Sequence, residues 1–113
     1  MSNKMKTKSE FRKNVLKIVS SIPKGTVTNY GTVATLAGRP NAARVVGGIL
    51  RSLTIEENDI PWWRVISKTG RISINQNIGG IEKEIQKEKL ESEGIEVSMN
   101  YKINMRKYSW IIS

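Results

Sequence analysis

A chain of 113 residues, 38% of them hydrophobic, can bury one modest core and belongs to the size range of a single domain. It has no cysteine and no histidine, which excludes disulfides, thiolate nucleophiles, Cys-based zinc sites and the commonest general base. The formal charge of +9 is segregated: residues 1–55 carry ten Lys/Arg against Glu10 alone, and residues 56–113 carry nine of each sign. A cationic half of this kind fits a polyanion and points to nucleic acid. No apolar run approaches the roughly 18 residues of a membrane span. The basic start, Met1 to Lys8, lacks the apolar stretch of a signal peptide. The expected address is therefore cytoplasmic and nucleoid-associated, or nuclear in a eukaryote, with no membrane partner.

Residues 1–8 read as a flexible basic arm and residues 9–113 as one domain. Ser9 is a candidate N-cap, and Phe11, Val15, Ile18, Val19 and Ile22 recur at the spacing of one helical face. Pro23 and Gly25 end that helix. Thr28 can cap a second helix running to Ala37, with Gly38 as its left-handed stop and Pro40 opening a third. The third helix spans about Asn41 to Leu53, with Ala42, Val45, Val46, Ile49 and Leu50 expected inward. Two short helices joined by a glycine turn make a helix-turn-helix.

After the acidic loop Thr54 to Asp59 comes Pro61-Trp62-Trp63-Arg64. The runs Arg64–Ser67 and Arg71–Ile74 read as strands joined by a Lys68-Thr69-Gly70 turn, a hairpin wing. Asn75 to Gly80 reads as a lid-like loop and Ile81 to Glu93 as a charged helix, with Ile81 and Ile85 inward, Leu90 off the stripe and Gly94 as cap. A strand near Tyr101–Ile103 is expected in the tail. The fold class is α+β, mainly α, a winged helix-turn-helix-like domain with a small β-hairpin wing.

On the third helix Arg44, Gly48 and Arg51 share a face, with Gly47 alongside. Each interior glycine costs about 1 kcal/mol relative to alanine. Close approach of an outside surface such as DNA explains the pair, and tight packing of helix on helix is the competing account.

Thr28-Asn29-Tyr30-Gly31, Asn41-Ala42-Ala43-Arg44-Val45-Val46-Gly47-Gly48 and Ile60-Pro61-Trp62-Trp63-Arg64-Val65 together resemble the DNA-binding domain of O6-alkylguanine-DNA alkyltransferases. There an Ile-Pro-Cys-His-Arg-Val motif carries the methyl-accepting cysteine. Trp62 stands at the cysteine position and Trp63 at the histidine position, as in alkyltransferase-like proteins, which bind damaged DNA without repairing it. The resemblance implies minor-groove docking and flipping of the damaged nucleotide. Tyr30 would rotate the phosphate, and Arg44 would fill the gap left by the base. It places DNA contact on Thr28, Asn29, Tyr30, Ala42, Arg44, Gly47, Gly48 and Arg51, and the lesion pocket on Tyr30, Trp62, Trp63, Arg71 and Asn75.

Trp62 suits a pocket wall, Trp63 either pocket or core, and Arg64 a structural tie. The pattern departs from the family where Trp63 replaces histidine and where Asn75 stands near a basic lid position, with Arg71 the candidate to compensate. No cofactor or metal is implied and no nucleophile is present. The expected partner is duplex DNA containing O6-alkylguanine, with nucleotide excision repair proteins as candidate further partners and a monomeric state.

Two other functions compete. A winged-helix regulator without lesion specificity predicts an exposed Arg44–Arg51 face and a fully buried Trp62. An enzyme, such as a glycosylase, would need Glu56, Glu57 or Asp59 to activate water.

Overall fold

The computed structural model describes residues 8–57, 59–72 and 81–112. Its elements are α1 (Lys8–Ser20), β1 (Thr28–Asn29), α2 (Tyr30–Leu36), α3 (Ala43–Arg51), β2 (Val65–Ile66), α4 (Ile81–Ser92) and α5 (Met105–Tyr108), with 3-10 turns at Ile55–Glu57 and Trp62–Arg64. The chain sorts into two compact units that alternate along the sequence, residues 1–21 with 30–62 and residues 22–29 with 63–113.

The first unit is helical. Phe11, Val15 and Val19 fall four residues apart on α1 and are buried, because that spacing returns to one face. Val33 and Ala34 of α2 and Val46 of α3 supply the opposing surface, with Ala37 and Ala42 closing the turn between the helices. Gly38, at φ +102°, stops α2. Its amide donates to Thr35, and the Arg39 amide donates to Ala34 at 2.9 Å. This is a Schellman ending. Val45, expected inward, is 49% exposed, since α3 has only a narrow inward stripe and Val46 occupies it.

The second unit has little regular structure. β1 pairs with β2 in parallel, Thr28 opposite Val65 and Asn29 opposite Ile66. The C-terminal chain is woven in beside β1: Val27 donates to Tyr108 O, and Trp110 donates to Val27 O. Thr28 is thus a buried strand residue and not the cap of α2. The turn at residues 68–70 forms, closed by Ser67 N to Arg71 O at 3.0 Å. Its outgoing limb, however, bridges Lys102 in antiparallel fashion and does not continue as a described hairpin. The remainder of the expected wing and the lid, residues 73–80, lie outside the described residues, as does the arm up to residue 7.

The core of this unit is Val27, Ile66, Ile72, Leu90, Ile95, Ile103 and Tyr108, with Trp63 packed against it. On α4 the inward residues are Gln86 and Leu90, while Ile85 is 40% exposed. Gln86 is buried because its amide donates to Trp63 O at 3.0 Å and Val65 O at 3.2 Å, so a polar residue occupies an inward position at no cost in unmet hydrogen bonds.

Candidate nucleic-acid interface

The candidate interface is built on α2 and α3 of the first unit. Tyr30 opens α2 half-buried, with its ring against Gly47. A Cβ built on Gly47 would lie 3.9 Å from Tyr30 Cε1 and 3.4 Å from Arg51 Nη1. The Tyr30 ring and the folded-back Arg51 head thus flank Gly47. Gly48 differs, since nothing approaches within 4 Å of the Cβ it lacks. A methyl at Gly47 would meet Tyr30 and Arg51 only at ordinary contact distance, so internal packing does not demand glycine there, and Gly48 leaves bare backbone toward open space.

Arg44 and Arg51 are both exposed on α3. Among the described residues neither enters an ion pair. Arg51 also sits in the last helical turn, where a cation favours the negative end of the helix dipole. Ala42 is buried just ahead of α3, and Asn29 is half-buried at the end of β1.

Trp62, in the same unit, follows buried Pro61 and is half-buried. Its amide donates to Ile60 O at 2.7 Å, a tight bend that places the indole at the head of the 3-10 turn.

Trp63 and Arg71 belong to the second unit. Arg71 is exposed on the turn that bridges Lys102. Asn75 lies outside the described residues.

Trp63 is part of a polar hub that the sequence did not announce. Its Nε1 donates to Glu93 Oε2 at 2.9 Å, and Lys89 Nζ stands 4.6 Å from its ring centre. Arg64 grips the same carboxylate through Nε and Nη2, the latter at 2.6 Å, and its Nη1 donates to Ile22 O. Gly25 N donates to Glu93 Oε1 at 3.1 Å. Burial pushes the Glu93 carboxyl upward, but the hydrogen bonds from Arg64, Trp63 and Gly25 outweigh it and hold the group below its ordinary value.

Glu57, a candidate for activating water, is already engaged. The Thr54 amide and the Arg12 guanidinium, both at 3.0 Å, lower its pKa. A carboxylate made less basic in this way is a poor general base. Among the described residues there is no His/Cys/Asp/Glu group that could hold a metal ion.

Two short helices joined by a glycine turn, the second exposing Arg44 and Arg51, make the arrangement of a helix-turn-helix DNA-binding domain. Residues 10–95 match the family described as the 6-O-methylguanine DNA methyltransferase DNA-binding domain, and the chain belongs to that family. It is 42% identical over 107 residues to the DNA base-flipping protein of Escherichia coli, covering 95% of this chain and 79% of that one. It is 38% identical over 105 residues to Alkyltransferase-like protein 1 of Schizosaccharomyces pombe.

The fold superposes on the crystal structure of S. pombe Atl1 in complex with damaged DNA containing O6-carboxymethylguanine. The TM-score is 0.86 at 37% identity, covering 96% of this chain and all of that one. The Mycobacterium tuberculosis O6-methylguanine methyltransferase matches over 79% of this chain but only 50% of its own, with a TM-score of 0.60 at 31% identity. The chain has no cysteine at all, so transfer of an alkyl group to a cysteine thiolate cannot occur.

Proposed function

We propose that this protein binds duplex DNA containing O6-alkylguanine without chemistry, docking α3 in the minor groove and turning the damaged nucleotide out toward Trp62. The observation that carries the reading is Trp62, half-exposed in the unit that also presents Arg44 and the bare backbone of Gly48. A regulator with no lesion to hold would bury that indole fully. An indole face offers apolar stacking surface to an alkylated base, and it has no thiolate with which to attack it. The similarity to a protein crystallised with O6-carboxymethylguanine DNA supports the same class of ligand.

In this reading Arg44 enters the stack to replace the extruded base, and Tyr30 turns the phosphate. The ring of Tyr30 lies beside Gly47 of α3. Trp63 serves the framework and Trp62 the lesion. A bound and deformed duplex then marks the site for nucleotide excision repair proteins, with the protein acting as a monomer.

The test is a titration at fixed salt with duplexes carrying one O6-methylguanine or guanine in the same sequence. The expected result is tighter binding of the lesion duplex, with the preference lost in Arg44→Ala and in Trp62→Ala. Equal affinity for the two duplexes would reduce the protein to a general winged-helix binder.

A further inference from the structure

Beside the start of α3 lies an open groove of about 420 Å³ lined by Arg39, Pro40, Asn41, Ala42 and Val45. Only Ala42 has a role in the interface described so far. We infer that this groove seats the sugar–phosphate backbone of one DNA strand, with Arg39 receiving a phosphate and Val45 packing on the adjoining deoxyribose. The inference rests on the DNA-binding reading above and adds to it the element that fixes register.

Arg39 is held in advance of any ligand. Its amide closes the Schellman ending on Ala34 O, and its own carbonyl accepts from Ala42 N at 3.0 Å, so its backbone is tied on both sides. Its guanidinium carbon stands 5.2 Å from the centre of the Phe11 ring. Phe11 is only 1% exposed, a fixed platform for a cation–π contact. Such a contact leaves the charge and the N–H donors intact. Among the described residues no carboxylate pairs with Arg39, and none lines the groove. A pre-ordered, unneutralised guanidinium loses little freedom on meeting an anion, and its planar fork matches two phosphate oxygens.

Val45 supplies the other half. It is 49% exposed while its neighbour Val46 is fully buried, so it contributes to the groove wall and not to the core. A cation and an apolar surface side by side match the alternation of phosphate and sugar along a strand. The wider charge agrees, because residues 1–55 hold the whole net excess of +9. Phosphate contacts carry no sequence information, but they set orientation on the duplex. Arg39 lies five residues before Arg44, where anchoring the strand fixes the step that Arg44 meets.

The test measures affinity against salt between about 50 and 200 mM for the full chain and for Arg39→Gln, Val45→Ala and Lys17→Gln, on lesion and guanine duplexes. Lys17→Gln removes an equal charge from an exposed site on α1. The salt slope of Arg39→Gln is expected to fall by about 1. Its affinity is expected to fall on the order of tenfold at about 0.1 M salt, equally for both duplexes. Val45→Ala weakens both duplexes with the slope unchanged, and Lys17→Gln leaves the slope as it was.

An unchanged slope in Arg39→Gln overturns the inference. So does the same drop in Lys17→Gln, which would mean a diffuse charge effect. If the wild-type chain bound both duplexes equally while the Arg39 slope change held, the lesion reading would fail and the groove assignment would stand.

Discussion

The two units hold themselves together by different means. The first is a helical core of Phe11, Val15, Val19, Val33, Ala34 and Val46. Among the described residues its α3 arginines have no carboxylate partner, and the Gly48 backbone faces open space. The second is irregular. It is fixed by a buried carboxylate, Glu93, whose side chain is 6% exposed and which collects donors from Trp63, Arg64 and Gly25. Unpaired charge is a ligand-facing property and satisfied charge a framework property. Of the two adjacent tryptophans, Trp63 donates its Nε1 to the Glu93 hub, and Trp62 heads the 3-10 turn at the edge of the first unit.

The comparison breaks most visibly at Glu93. Replacing it with alanine strands Arg64 in a site where that side chain is 14% exposed. The expected cost is about 3–5 kcal/mol, measured by urea unfolding. The hub also predicts a pH dependence. The folded carboxyl titrates below its ordinary value of 4.5, so its stabilisation is complete above that pH and is lost as pH falls through the lower, folded value. Thermal unfolding of the wild type should therefore fall on acidification below about 4.5, with a shallower fall in Glu93→Gln. Parallel profiles for the two would contradict the assignment.

Gly70→Ala tests the second unit's weave. At φ +86° a new Cβ would lie 2.6 Å from Ile103 O. Left-handed strain of roughly 1–3 kcal/mol adds to a backbone clash, and the melting temperature should drop while DNA affinity per folded molecule stays constant.

Gly48→Ala is the opposite experiment. With nothing within 4 Å of the new methyl, helix propensity should stabilise the fold by about 0.5–1 kcal/mol. Affinity for DNA should fall, because the methyl holds the α3 backbone off the duplex. Stability and affinity moving up together would remove close approach as the reason for this glycine. The smallest effect is expected at Arg12–Glu57, a partly exposed pair with side chains 38% and 26% exposed. Arg12→Ala should leave the unfolding midpoint close to that of the wild type in the same assay.

Much of the first unit was legible because its information is local. The four-residue spacing of Phe11, Val15 and Val19, and Gly38 before Arg39, are signals within one turn of chain. The second unit was less legible because its contacts are distant. Nothing near Thr28 announces a parallel pairing with Val65, and a two-residue strand has no period to detect. On α4 an apolar stripe begun at Ile81 and Ile85 hid Leu90, because the inward partner of Leu90 is the polar Gln86. Glu93 looked like one more charge on a solvated helix, and the four donors that bury it come from residues 25, 63 and 64. Val45 misled in the other direction, since an apolar residue on a ligand-facing helix need not point inward. At the candidate interface the motifs singled out Tyr30, Arg44 and Trp62, but they carry no sign of the different surroundings of Gly47 and Gly48.

The most direct measurement compares Trp62→Ala with Trp63→Phe, recording lesion preference and melting temperature for each. The account predicts that Trp62→Ala loses the preference for O6-methylguanine over guanine with little change in melting. It predicts that Trp63→Phe melts lower, through the lost Nε1–Glu93 bond, and keeps the preference. The reverse pattern, with lesion preference following Trp63 and stability following Trp62, would contradict it.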